Sequence, residues 1–201
     1  MTSARNTFSL AAALFAAAAC ASSTSSSPAG TAPAQASASP PSPDPRIGLR
    51  AGATDAAEAT WNMRKVSTTP SPAKFAGVTN SDLAFIGNYV FQGNYSGWQV
   101  WDISNPARPS LRTAYVCPGS QSDVTVYGNL LFVSAESSSG RVDCGLQGVQ
   151  DTVSKERARG IRIIDISDIG NPKYITTVQT CRGSHANSLV TDPKDRENVY
   201  I

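Results

Sequence analysis

The sequence predicts an all-β protein built from repeated, four-stranded antiparallel sheets. The segment Gly97 to Pro109 returns at Gly160 to Pro172, and each copy joins an apolar strand to an Asp-Ile-Ser turn and a later proline. A Gly-Asn pair between two apolar runs precedes each copy, which is the signal of a two-residue hairpin. Duplicated units with four short strands each are typical of β-propeller blades.

The first two repeats span residues 81–121 and 122–184. Their Gly-Asn turns, at Gly87 and Gly128, are 41 residues apart, and glycine at this position supplies the positive φ of a type II′ turn. The apolar strands that follow, ending at Asp102 and Asp165, are 63 residues apart. The difference of 22 residues predicts an insertion in the second repeat, between about Ser137 and Arg159.

A third repeat, residues 185–201, begins a strand at Ala186, turns through 192–198 and resumes at Val199. The printed sequence stops there, so about two and a half blades are present. Because propellers have about four blades or more, we expect this chain to be the front part of a longer protein or a truncated product.

The N-terminal residues 1–19 have the features of a signal peptide: one basic residue, Arg5, and an apolar stretch that begins at Phe8. That stretch is too short to span a bilayer, which takes about 20 residues. The run Ala17-Ala18-Ala19-Cys20 resembles a bacterial lipobox, although Ala17 stands where leucine is usual. We expect a lipid on Cys20; ordinary cleavage nearby is the alternative.

Two segments separate the leader from the repeats. Residues 20–45 are almost entirely Ser, Ala, Thr, Pro and Gly, a composition that predicts a disordered tether. Residues 46–80 are more mixed and predict a capping segment, with a short helix that begins at Thr54 or Asp55. Trp61 and Met63 are expected to cover the edge of the first blade.

The charge balance argues against some partners. The formal net charge is +2, and loss of Arg5 with the leader leaves 16 basic and 15 acidic residues, a net charge of +1. No basic patch or run is present, so we expect no nucleic-acid partner, and contact with a membrane through a lipid anchor only.

Taken together, these motifs resemble the LVIVD-repeat family of bacterial and archaeal envelope proteins. The signature strands are Gln99-Val100-Trp101-Asp102 and Arg162-Ile163-Ile164-Asp165. The resemblance covers residues 81–201, and more loosely 46–80. It implies a β-propeller outside the cytoplasmic membrane, at the cell envelope, and it implies no catalytic residues or cofactor.

Asp102 and Asp165 each follow an apolar strand, where an acidic residue could serve chemistry. Their recurrence favours a structural role, in which the carboxylate accepts backbone N–H groups of its own turn.

The cysteines are expected to form disulfides, because the protein is expected to be exported. We favour a bond between Cys117 and Cys144, which would pin the insertion and leave Cys181 to pair with a cysteine beyond the printed sequence; a bond between Cys144 and Cys181 remains possible. A metal site is not expected, since there is no Cys-x-x-Cys motif and only one histidine.

That histidine, His185, stands at the entrance of the third repeat, where a propeller can bind a ligand. We favour a hydrogen-bonded structural histidine, and a ligand contact is the alternative. The acidic residues Asp192, Asp195 and Glu197 alternate with basic ones, which favours a solvated turn over a calcium loop.

These features predict a non-enzymatic binding or scaffold module. Its partner would be an envelope protein, a polysaccharide or a small ligand, and the insertion, residues 138–158, is the first candidate to contact it. The alternative is a hydrolase-like envelope enzyme with a central-channel site, to which His185 and further blades would contribute.

Overall fold

The computed structural model describes residues 37–201. The chain divides into two compact units, Met1–Asn62 and Met63–Ile201. The predicted signal peptide, Cys20 and the tether up to residue 36 lie outside the described residues. Within the part that is described, no helix is long and apolar enough to cross a membrane.

The described part of the first unit, residues 37–62, contains neither helix nor strand, so the prediction of a helix from Thr54 or Asp55 is wrong. The Asp55 carboxylate pairs with Arg50 instead of capping a helix. Asn62 has a φ of +55°, which is incompatible with a right-handed helix. Its side-chain amide forms two hydrogen bonds of 2.8 Å with the backbone of Ser37. Trp61 and Met63 are 45% and 76% exposed, so neither is a buried cap.

The second unit is all-β, and it contains the four-stranded blades that the sequence predicts. Two antiparallel sheets have the same order, β1-β2-β3-β4 and β5-β6-β7-β8, and a two-stranded hairpin follows them. A single 3₁₀ turn, Ala73–Phe75, precedes the first sheet and buries Phe75. The strands are β1 Asn80–Ile86, β2 Tyr89–Asn94, β3 Gly97–Asp102, β4 Ser110–Val116, β5 Val124–Tyr127, β6 Leu130–Ala135, β7 Gly160–Asp165, β8 Lys173–Gln179, β9 Val190–Asp192 and β10 Asp195–Tyr200.

The two Gly-Asn turns form as predicted. Gly87 and Gly128 have φ values of +54° and +55°, and each turn joins directly paired strand ends. The signature strands also begin with glycine for a steric reason. A Cβ on Gly97 would lie 2.1 Å from the carbonyl oxygen of Tyr115, and one on Gly160 would lie 2.0 Å from that of Val178. Only glycine therefore allows β3 and β7 to start so close to the outer strand.

The second blade repeats the first even in its irregularities. The pairing of β3 with β4 shifts register between Val100 and Trp101, and the pairing of β7 with β8 shifts between Ile163 and Ile164. These positions are equivalent in the two repeats, so the bulge belongs to the repeat rather than to one blade.

The core lies between the two sheets. Phe91, Trp98 and Val100 of the first sheet pack with the second sheet's buried side chains, among them Val124, Leu131, Val133 and Ile164. The ring of Trp98 also stacks on Tyr115, with ring centroids 5.1 Å apart. Burial of each such side chain contributes about 1.5–3 kcal/mol, which is why two consecutive blades stabilise one another.

The third repeat differs from its predicted form. Its hairpin turns at Pro193-Lys194 rather than across 192–198, and the irregular pairing between Asp195 and Val199 absorbs the extra residues. The reason lies in the side chains. The Asp192 carboxylate accepts the N–H of Lys194, and the Asp195 carboxylate accepts the N–H groups of Glu197 and Asn198.

Candidate functional site

Asp102 and Asp165 serve their own turns. Asp102 Oδ1 accepts the Ser104 N–H at 2.9 Å and its hydroxyl at 2.6 Å, and Asp165 Oδ1 accepts the Ser167 N–H at 2.8 Å. These hydrogen bonds lower the pKa of each aspartate carboxyl. The bond from the hydroxyl of Ser104 or Ser167 has the larger effect, and the bond from the N–H of the same serine comes next. A cleft of about 460 Å³ lies between these turns, but equivalent residues of both blades line it, so it belongs to the scaffold.

The insertion between β6 and β7 is folded and fastened to the blade. A disulfide joins Cys117 to Cys144, with their Cα atoms 4.4 Å apart, which is one of the two pairings that the sequence left open. Cys181 is a free, exposed thiol. Backbone hydrogen bonds from Val142 to Glu156 and from Ala158 to Gly140 close the loop at 2.8 and 2.9 Å.

Two arginines fasten the interior of the insertion. Arg141, whose side chain is 9% exposed, bonds Asp143 through two nitrogens and Glu156 through one. These bonds raise the pKa of Arg141, and the Arg141 side chain lowers the pKa of Asp143. Arg157 donates to the carbonyl oxygens of Ser138 and Thr152 at 2.6 and 2.7 Å. The loop therefore has a defined shape despite having no strand of its own.

Arg162 connects this loop to the core. Its side chain is 1% exposed, and it donates to the carbonyl oxygens of Cys117, Pro118 and Arg141 at 2.9, 2.7 and 3.3 Å. Burial lowers the pKa of Arg162 to about 10. A Cβ on Gly119 would lie 2.3 Å from a guanidinium nitrogen of Arg162, so a larger residue there would require the buried arginine to shift.

A polar cleft of about 500 Å³ lies beside Gly119, and we call it the serine cleft. Its walls come from the turn after β2, the connection between the blades and the start of the insertion. The lining residues are Tyr95, Pro118, Gly119, Ser120, Glu136, Ser137, Ser138 and Ser139.

Glu136 links the serine cleft to His185. Glu136 Oε1 lies 2.7 Å from His185 Nδ1 and accepts the Ser120 hydroxyl at 3.2 Å. The other ring nitrogen, Nε2, lies 2.8 Å from the amide nitrogen of Gln121. Donation from Nδ1–H to Glu136 and acceptance at Nε2 are compatible in a neutral ring. His185 is thus hydrogen-bonded on both sides, although its side chain remains 62% exposed.

Tyr95 and Glu136 occupy equivalent positions in consecutive blades. Each directly follows the second strand of its sheet, and they are separated by the same 41 residues that separate Gly87 from Gly128. Sequence reasoning did not identify either residue. The sequence did contain a signal for them, because alignment of the two repeats places a tyrosine in one opposite a glutamate in the other.

Two aspartates connect consecutive repeats near the residues at which each repeat begins. Asp82 Oδ2 accepts the N–H of Val124 at 3.2 Å, and Asp123 Oδ2 accepts the N–H of Asn187 at 2.7 Å. Burial, and then the nearby negative charge of Asp82, raise the pKa of Asp123 above its ordinary value. Across residues 37–201, no three or more His, Cys, Asp or Glu side chains are grouped so as to hold a metal ion.

Comparison with known families identifies the repeat. Residues 78–116 match the LVIVD repeat. This stretch contains all four strands of the first sheet, and the second sheet reproduces their order, turns and bulge. The LVIVD resemblance inferred from the signature strands is therefore confirmed in the first blade. No curated protein matches the chain.

Proposed function

We propose that this protein is an exported, lipid-anchored LVIVD-repeat module that binds a component of the cell envelope at the serine cleft. The observation that carries the proposal is the construction of that cleft. The buried Arg162 donates to the carbonyl oxygen of Pro118, which lines the cleft, and the disulfide holds the adjacent Cys117, so this part of the lining is fixed without a ligand. Pre-organisation of this kind favours binding because little side-chain or loop entropy is lost.

Export is supported by the bond between Cys117 and Cys144, since disulfides persist mainly in oxidising compartments. The lipobox-like run before Cys20 supports a lipid anchor. Mass spectrometry of the mature protein should find a diacylglycerol on Cys20. An unmodified N-terminus at Ser22 or later would remove the anchor from the proposal.

Binding at the cleft can be tested without knowing the ligand. The purified Cys20→Ser protein, which cannot carry the lipid and serves as the unaltered protein of this comparison, is incubated with isolated envelope fractions, and the protein that sediments with them is measured. Ser138→Trp places a bulky ring in the serine cleft and should abolish retention. Gln150→Trp adds the same ring to an exposed position of the same insertion and should leave retention unchanged.

Two results would contradict the proposal. Equal retention of the Ser138→Trp variant and the unaltered protein would exclude the serine cleft as the contact. Failure of the unaltered protein to sediment with any envelope fraction would contradict the binding function itself.

One observation favours the alternative, a hydrolase-like envelope enzyme. Burial raises the pKa of the Asp123 carboxyl, and His185 lies close enough to affect it electrostatically; perturbed carboxyls of this kind are common at catalytic sites. Turnover of p-nitrophenyl acetate or p-nitrophenyl phosphate that Asp123→Asn abolishes would favour the enzyme. Turnover that survives this substitution, or none at all, would favour the binding module.

A further inference from the structure

We propose that the ligand of the serine cleft is a short, neutral saccharide. The ring of Tyr95 would lie against the apolar face of a sugar, and the Glu136 carboxylate would accept its hydroxyl groups. This inference rests on the proposed binding function and assigns it a ligand class.

The lining residues select for a neutral, hydroxyl-rich ligand. Four of them are serines, whose hydroxyls both donate and accept hydrogen bonds, as sugar hydroxyls do. No lysine or arginine lines the cleft, and the Glu136 carboxylate would repel an anion. One oxygen of that carboxylate is already engaged by His185 and Ser120.

One carboxylate oxygen of Glu136 is held by neighbouring side chains, and the other can accept a hydrogen bond from a ligand. Oε1 is engaged by His185 and Ser120, which fixes the plane of the carboxylate. Oε2 makes no hydrogen bond within residues 37–201 that would compete with a ligand, and the side chain is 31% exposed. A charged acceptor held in this way forms stronger hydrogen bonds to hydroxyl donors than a neutral group would.

Tyr95 supplies an aromatic surface on a fixed backbone. Its N–H donates to the carbonyl oxygen of Thr79 at 3.1 Å, and the buried side chain of Asn94 caps the following N–H at 2.9 Å. The tyrosine side chain is nevertheless 43% exposed. An exposed ring on a rigid turn contributes contact area at little entropic cost, and its hydroxyl can remain in water.

The size of the cleft agrees with this class of ligand. A volume of about 500 Å³ lies in the range of small-molecule sites and leaves room for a few sugar rings. Its open form would admit one stretch of a longer glycan chain, which is how a polysaccharide would reach it.

The experiment is isothermal titration of the purified protein with cellotriose, maltotriose and N,N′,N″-triacetylchitotriose. At least one trisaccharide should bind, and inorganic phosphate should not. Tyr95→Ala and Glu136→Gln should each weaken that binding by about tenfold. Tyr95→Phe should retain most of the affinity because it keeps the ring.

Tyr127→Ala is the matched control, because Tyr127 is exposed to almost the same extent, 42%, but does not line the cleft. Absence of binding by all three trisaccharides, binding of phosphate in their place, or an equal loss of affinity in Tyr127→Ala would overturn the saccharide assignment. If sedimentation with envelope fractions persists while the trisaccharides fail, the ligand class is wrong and the binding function stands.

Discussion

The guanidinium of Arg162 donates a 2.9 Å hydrogen bond to the carbonyl oxygen of Cys117, a residue that is also one half of the disulfide. The core of the second blade and the base of the insertion are therefore fastened at the same point. Because Arg162 also bonds Pro118, which lines the serine cleft, part of that lining depends on the same buried side chain.

Arg162→Gln should destabilise the protein by about 2–4 kcal/mol, because glutamine is too short to satisfy three buried carbonyl oxygens. Urea unfolding followed by tryptophan fluorescence measures this change. Arg196→Gln alters an exposed arginine and is the control. An unchanged unfolding midpoint in Arg162→Gln would show that the guanidinium is not needed there.

Loss of the disulfide should be comparably costly. The bond closes a loop with a sequence separation of 27, for which chain entropy gives about 3–4 kcal/mol. We expect Cys144→Ser to lower the free energy of unfolding by that amount, and Cys181→Ser to leave it unchanged. Peptide mapping without reduction should recover Cys117 and Cys144 in one linked fragment; recovery of Cys144 with Cys181 would contradict the structure.

Asp102→Ala and Asp165→Ala should each lower the melting temperature at pH 7, because the turn loses its acceptor. The folded pKa of both carboxyls is lowered, so their stabilisation is present above the unfolded value of about 3.9 and is lost as the pH falls through the folded value. The variants should therefore approach the unaltered protein in strongly acidic solution. Asp151→Ala, an exposed acid in the insertion, should have no effect at either pH.

Asp123 should show the opposite pH dependence. Its folded pKa is raised, so the folded state binds the proton more tightly, and stability decreases as the pH rises from about 3.9 through the folded value. Asp123→Asn keeps an acceptor for the Asn187 N–H without the charge near Asp82. We expect this variant to be at least as stable as the unaltered protein at pH 7 and to have no advantage near pH 4. A clear loss of stability at pH 7 would contradict this assignment.

The framework of the blades could be predicted because it is encoded locally and repeated. The Gly-Asn turns, the Asp-Ile-Ser turns and the alternating apolar residues each determine structure within a few positions, and two copies made the alignment secure. The predicted helix near Asp55 does not form, and the Asp55 carboxylate pairs with Arg50 at the surface instead of capping a helix. In the third repeat, aspartate side chains fixed the turn at residues that the alignment left ambiguous.

The candidate site could be predicted only in part. His185 was identified, but its partner Glu136 lies 49 residues earlier, and the alignment of Glu136 with Tyr95 does not reveal that Glu136 contacts His185. The path of that insertion depends on Arg141, Arg157 and the disulfide acting together. Such long-range contacts leave no periodic pattern in the sequence, so the serine cleft became visible only in three dimensions.

The insertion also offers a practical opportunity for protein engineering. The four strands of the second blade keep the order of the first although 22 extra residues separate β6 from β7. The outer part of that segment projects into solvent, with Leu146 and Val153 exposed by 73% and 90%. A fluorophore attached to the side chain at position 153 would stand in solvent and report on the protein, whereas an epitope grafted between the two residues would interrupt the arginine contacts to Gly148 and Thr152.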